Sequence, residues 1–232
     1  HTEGVYDHKA ANDTLPLRGT FEGTVTQAEV MGYTYQHLAL SGSYAHNLYE
    51  AVATLDDPNG HLALQATYNH TRRIPTYTLH LKADSLDLNA MNLIDIHEGN
   101  SFSAMLHTHI RGADLDQMTG EIAIDSLVMH RPTGDDYLIR EIDLYSTDPT
   151  PEHKMLSLHT DFMDGSLSGS FTYQSLANSI LAQLHHYLPS FCYSHQHDHV
   201  VAHKNICTGS LKIYDTRPLR ELLLIPIDIS KT

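Results

Sequence analysis

His195, His197 and His199, with Asp198 between the last two, are the side chains best suited by type and spacing to do chemistry. In an extended segment alternate residues point to one side, so the three imidazoles would share a face. His203 and the pair His185-His186 lie close by in sequence. Imidazoles so arranged bind zinc, copper or nickel. Zinc sites, however, set two His on one helical turn or pair them with Cys, and neither pattern holds here. The stretch 193–205 reads as a polar His-rich loop, and no residue is named as a metal ligand. Other reactive signatures are also missing. Asp164-Gly165-Ser166-Leu167-Ser168-Gly169 has the wrong spacing for a G-x-S-x-G nucleophile elbow. Neither phosphate-binding glycine pattern occurs. Carboxylate pairs abound, but their separation in space is not written in the sequence, so a glycosidase has no support. The chain reads as a non-enzyme that needs no cofactor.

What remains is the chemistry of apolar surface. Residues 61–68 place Leu62, Leu64, Ala66 and Tyr68 against His61, Gln65 and Thr67. The next stretch sets Tyr77, Leu79, Leu81 and Ala83 against Thr78, His80, Lys82 and Asp84. Phe102, Leu106 and Ile110, with Ala104 and Thr108 between them, oppose Ser103, His107 and Arg111. Leu156, Leu158 and Phe162 oppose Ser157, His159 and Asp161. Alternation with period two marks a half-buried β-strand. A sheet with one apolar face must cover it with another sheet, helices, itself or a ligand.

The elements that would carry these faces are almost all strands. Gly19–Thr26, Tyr33–Tyr44, Leu48–Leu55, His61–His70, Thr76–Leu88, Ser101–Gly112, Glu121–His130, Tyr137–Ser146, Lys154–Phe162 and Ser166–Tyr173 have strand character. Asp57-Pro58-Asn59-Gly60, Arg131-Pro132-Thr133-Gly134, Asp148-Pro149-Thr150-Pro151 and Asp164-Gly165 are turn chemistry. Short connections without crossover helices imply antiparallel neighbours. The apolar phase slips between Ala83 and Leu86, which predicts a bulge near Asp84-Ser85. Met91–His97 has the look of a short helical turn. Leu176, Ile180, Leu181, Leu184, Tyr187 and Leu188 recur at helical spacing from Ser175, and Pro189 closes that segment. Further strands are expected at Ile206–Tyr214 and Leu222–Ile229. Leu40-Ser-Gly-Ser-Tyr44 and Leu167-Ser-Gly-Ser-Phe171 echo one another, with Met118-Thr-Gly-Glu-Ile122 a looser relative.

Composition bounds the partners. A hydrophobic fraction of 41% with 18% charged residues fits a globular chain, and no apolar run reaches the roughly 20 residues of a membrane-spanning helix. The net charge of −14 argues against nucleic acid, whose binding needs clustered Lys and Arg, and against anionic membrane surfaces. Cys192 and Cys207 allow a single bridge in an oxidising compartment and no more. His1-Thr-Glu-Gly has neither an initiator Met nor a signal peptide, so a mature form or an excised piece is expected.

Several segments together resemble the C-terminal part of the TamB family, envelope proteins related to AsmA. They are Lys82-Ala-Asp-Ser-Leu-Asp-Leu-Asn-Ala-Met-Asn-Leu-Ile-Asp95, Phe102 with Gly112-Ala-Asp-Leu-Asp, and Gly120-Glu-Ile-Ala-Ile-Asp-Ser-Leu127. Asp161-Phe-Met-Asp-Gly-Ser-Leu-Ser-Gly-Ser-Phe171, the helix after it, and Arg217-Pro-Leu with Ile225-Pro-Ile-Asp-Ile-Ser230 complete the pattern. The resemblance covers the chain from about residue 19 onward and carries no catalytic signature. It implies a β-groove, taco-shaped in section, within an inner-membrane-anchored protein crossing the periplasm. It also implies transfer of phospholipids to the outer membrane and, with an outer-membrane barrel partner, outer-membrane protein assembly.

The expectation is an all-β, elongated antiparallel sheet, curled into a groove or flattened barrel, with one C-terminal amphipathic helix. Residues 1–18 form a leader or partial strand, 19–173 the β-groove, and 174–232 the helix, His-rich loop and terminal strands. Phospholipid acyl chains are the expected guest; each methylene taken out of water contributes about 0.8 kcal/mol. The expected lining is Leu62, Leu64, Tyr68, Tyr77, Leu79, Leu81, Phe102, Leu106, Ile110, Ile122, Ile124, Val128, Leu156, Leu158, Phe162 and Phe171. The same positions equally suit a dry core. A surface β-sandwich that binds carbohydrate or serves adhesion is the other reading. The absence of Trp weighs against it and the 13 Tyr, notably Tyr33, Tyr35, Tyr44 and Tyr49, keep it open.

Overall fold

The computed structural model describes residues 2–6, 18–150, 153–176 and 206–223. Twelve strands run in chain order through an antiparallel meander in which each pairs with its sequence neighbours. They are β1 (Thr2–Tyr6), β2 (Arg18–Val30), β3 (Tyr33–Ala45), β4 (Leu48–Asp57), β5 (Gly60–Asn69) and β6 (Thr76–Leu86). There follow β7 (Ser101–Arg111), β8 (Thr119–His130), β9 (Tyr137–Thr150), β10 (His153–Thr160), β11 (Met163–Ser170) and β12 (Ile206–Ile213). The all-β antiparallel class expected from the alternation holds. Among the described residues the sheet is open, since β1 and β12 each have one neighbour. The chain forms two compact units, residues 1–112 with 120–142, and residues 113–119 with 143–232.

In the first unit the strands are long because their turns are cheap. Met31-Gly32 and His46-Asn47 take positive φ in two-residue hairpins, where Gly and Asn are at ease. Three other non-glycine residues with positive φ sit inside strands: His37 at 48°, Ser85 at 54° and Ser126 at 56°. At Ser85 an extra residue bends the ladder between β6 and β7. The expected bulge near Asp84-Ser85 is present as a register shift between Ala83 and Leu86.

The compact core of this unit is small. Ala83, Leu86 and Met91 are buried, with Tyr33, Tyr35, Leu55, Leu62, Leu81 and Leu88 packed around them. Met91 belongs to the connection after β6, which folds back through a turn: its N–H donates to Asp87 O at 3.0 Å, and Leu93 N–H to Leu88 O at 2.9 Å. Tyr35 Oη donates to Met91 O at 3.3 Å, and Asn92 Nδ2 to Met31 O at 3.3 Å. These bonds fasten the connection over the ends of β3 and β6.

The second unit holds the later part of β9 with β10 to β12. Contrary to the turn expected at Asp148-Pro149-Thr150-Pro151, β9 runs on to Thr150. A 3-10 turn, Leu115–Gln117, is capped by Asp114, whose carboxylate accepts from Gln117 N–H at 3.0 Å. The expected C-terminal strand Leu222–Ile229 is corrected at its start. Arg217–Leu223 is a helix, α1. Asp215 accepts from Arg217 N–H at 2.9 Å at its entry, and Pro218 sits in the first turn, where no N–H is needed. Leucines at 219, 222 and 223 serve a helical stripe as well as a strand, and the cap decides. Residues 173–176 are helical. The rest of the helix expected to 188, the His-rich loop and Cys192 lie outside the described residues. Cys207 is free and exposed on β12.

Candidate functional site

Register turns the alternation of single strands into a surface. Tyr44 stands opposite Tyr49, Tyr49 opposite Tyr68, Tyr68 opposite Tyr77, and Tyr77 opposite Ile110. The next row on the same face is Phe21, Gly42, Ala51, Ala66, Leu79 and Thr108. Above it run Gly23, Leu40, Ala53, Leu64, Leu81 and Leu106, then Val25, Leu38, Leu55, Leu62, Ala83 and Ala104. The apolar face is thus continuous from β2 to β7. The opposite face carries Glu22, Ser41, Glu50, Gln65, His80, Lys82 and His107.

This face is not sealed. Leu62, Leu64, Tyr68, Tyr77, Leu79, Leu81, Leu106 and Ile110 are only half-buried. Toward β2 exposure rises, with Leu40 at 41%, Val25 at 42%, Phe21 at 43% and Tyr49 at 47%. A monomer rarely leaves so much contiguous apolar surface to water without a use for it.

The two ends of the face differ. At one, the tyrosine row forms a ladder of rings, with centroids 5.9 Å apart for Tyr44–Tyr49, 5.6 Å for Tyr49–Tyr68 and 5.0 Å for Tyr68–Tyr77. Burial raises the Tyr68 hydroxyl above its ordinary range, and the neighbouring Tyr77 and Tyr49 add to the shift. At the other end the Met91 connection covers the sheet. There Asp57 accepts from the Tyr33 hydroxyl, from Gln36 N–H at 2.9 Å and from Asn59 N–H at 2.9 Å. Burial pushes the Asp57 carboxyl upward, but these donors outweigh it and hold the group below the usual carboxylate range. Burial, and then the bond to Asp57, raise the Tyr33 hydroxyl.

Comparison with known proteins returns one result. No family model, curated protein or solved structure matches this chain.

The expected lining divides into three groups. The β5, β6 and β7 positions lie on the apolar face as a set, Phe102 included, beyond the bulge opposite Leu86 and in edge contact with His97 at 5.5 Å. In β8, Asp125 reaches His107 on the polar face at 3.2 Å, so Ile122 and Ile124 share the apolar side with Leu106. The phase then reverses across Ser126, whose φ is positive. His130 meets Ser103 on the polar face, which turns Leu127 and buried Met129 to the apolar side and Val128 away from it. Val128 is therefore corrected.

In the second unit Leu156 and Leu158 lie opposite Leu167 and Gly165, on that unit's own apolar face. Phe162 and Phe171 are buried, at 6% and 5% exposure, and offer no open surface. Phe162 sits in the turn after β10, where its carbonyl accepts from Tyr214 N–H at 2.8 Å. Phe171 packs against Tyr173 at 6.0 Å, below the Lys154 ammonium at 5.7 Å.

Sequence reasoning left out Phe21, Val25, Leu38, Leu40 and Leu55. Their alternation is diluted by small residues on the same face (Gly19, Gly23, Gly42, Ala51 and Ala53). Two of those small residues lie under rings: the Tyr44 ring lies over Gly19 and the Phe21 ring over Gly42. In the first copy of the L-S-G-S-aromatic pattern, Leu40, Gly42 and Tyr44 stand on the apolar face and Ser41 and Ser43 on the other; in the second copy, the β12 backbone at Ile206 closes on Gly169 instead of a ring. Among the described residues no group of three or more His, Cys, Asp or Glu is placed to hold a metal ion.

Proposed function

We propose that this chain is a segment of a periplasm-spanning, TamB-like envelope protein whose apolar sheet face shields phospholipid acyl chains between inner and outer membranes. The observation that carries the reading is the continuous, half-covered face from β2 to β7. The rows supply length along the face for a chain to lie on. An acyl chain leaving water there gains on the order of 10 kcal/mol before ordering costs, which needs no catalytic group. The tyrosines at the row's end suit a boundary where one side of a guest is apolar and the other wet. An outer-membrane barrel partner in protein assembly belongs to the same proposal and rests on the resemblance to the TamB family.

The test is photo-crosslinking in cells from position 106, with mass spectrometry of the adduct. Phospholipid adducts, lost in Ile124→Asp variants that keep the strand spectrum of the parent, are the expected outcome. A carboxylate there meets chains instead of water and opposes their entry. Recovery of no lipid from a folded protein would refute the reading. Recovery of glycan on the Tyr44–Tyr77 row instead would favour the carbohydrate-binding alternative.

A further inference from the structure

We propose that Ser103 is a nucleophilic serine, activated by His130 and positioned through Asp136, that accepts acyl groups from carboxylic esters. Ser103 is on β7, His130 ends β8, and Asp136 lies in the connection to β9. Ser103 Oγ is 2.9 Å from His130 Nε2, and His130 Nδ1 is 3.0 Å from Asp136 Oδ2. The carboxylate can only accept, so Nδ1 carries the proton and donates it to Asp136. That leaves Nε2 bare, and the Ser103 hydroxyl donates to it. These are the roles of nucleophile, base and orienting carboxylate in acyl transfer, recognised by geometry and not by sequence order. The backbone N–H of Ser85 donates to the same Oγ at 2.9 Å, which fixes the position of the hydroxyl and leaves its own proton for His130.

The cluster is separate from the acyl-chain site. Ser103 and His130 are on the polar face of the sheet, and the imidazole and carboxylate are open to solvent, at 35% and 52% exposure. His61 and His107 also turn Nδ1 to a carboxylate, Asp56 and Asp125 respectively. What His130 adds is a serine hydroxyl on its other ring nitrogen.

In the step itself, Ser103 Oγ adds to the ester carbonyl carbon as its proton passes to His130 Nε2. Collapse of the tetrahedral intermediate breaks the bond to the alkoxy oxygen, which leaves as the alcohol with the proton from Nε2. The acyl group stays on Oγ until water, deprotonated by the same nitrogen, releases the acid. Asp84 Oδ1 lies 3.4 Å from Ser103 Oγ and opposes the developing negative charge. Reactivity is accordingly set at the low end of what a positioned base supplies, about 100-fold over an unassisted hydroxyl.

The experiment uses the full chain with a fluorophosphonate probe and with p-nitrophenyl acetate, the adducts mapped by peptide mass spectrometry. Ser103 is expected to carry the label about 100-fold faster than Ser166, whose hydroxyl pairs with that of Ser210. His130→Gln removes that advantage and the rise of rate with pH along a one-proton curve. Asp136→Asn slows acylation and Asp136→Glu restores part of it, a rescue that a purely structural carboxylate would not show in the rate. Site mapping on the unaltered chain needs no variant to fold. Label spread evenly over serines, or a Ser103 rate unchanged in His130→Gln, overturns the proposal.

Discussion

Asp57 shows how a single side chain can govern one end of a sheet. Its carboxylate is 3% exposed and satisfies two backbone N–H groups and a tyrosine hydroxyl. Asp57→Asn puts an amide where three donors converge, and a loss of about 2 kcal/mol is expected in chemical denaturation. The sign of the pH dependence follows from the depressed folded value. The contribution is complete above the unfolded carboxyl value of about 3.9 and is lost as pH falls through the lower folded one. Denaturation midpoints compared at pH 7 and pH 3 should therefore converge between parent and Asp57→Asn in acid. At this scale the sequence was partly legible. The lining residues of β5 to β7 declare themselves by alternation, whereas Ser103, His130 and Asp136 meet only because β7 and β8 are aligned by pairing and a bulge. No spacing rule connects positions 103, 130 and 136.

Strands are the level at which local pattern and structure agree best, because turn residues and period two are both short-range signals. The expected segments from Tyr33 to Ser146 and Ile206–Tyr214 overlap observed strands, and the slip at Ser85 was visible as a break in phase. The reversal at Ser126 was not, since Leu127, Val128 and Met129 are all apolar and hide the change of face. The same masking set the start of the expected C-terminal strand at Leu222, inside what is a helix to Leu223. Gly42 offers an element-level test. A Cβ there would come within 2.5 Å of the Phe21 ring and 2.6 Å of Glu50 O. Gly42→Val should cost about 1–3 kcal/mol, read from thermal unfolding, because the backbone oxygen cannot step aside. Adding Phe21→Ala should recover only the part due to the ring. Tyr68→Ala removes contacts on both sides of the ring ladder, and a loss of about 1–2 kcal/mol is expected by the same measurement.

For the molecule as a whole, the proposed lipid-carrying role makes net charge the term that sets encounter with a bilayer. At a net −14 the chain is repelled by anionic surfaces. Uptake of a fluorescent phospholipid should be slower from anionic than from zwitterionic vesicles at low salt. The difference should shrink as ionic strength passes about 0.15 M, where screening acts within about 8 Å. Equal rates at low salt would show that encounter is not electrostatic. The neighbour-only meander has a mechanical corollary. With every strand held by those before and after it in the chain, traction on one terminus can detach a single ribbon at a time. An optical trap pulling on either end should record a staircase of small rips, the molecule unravelling like a hem.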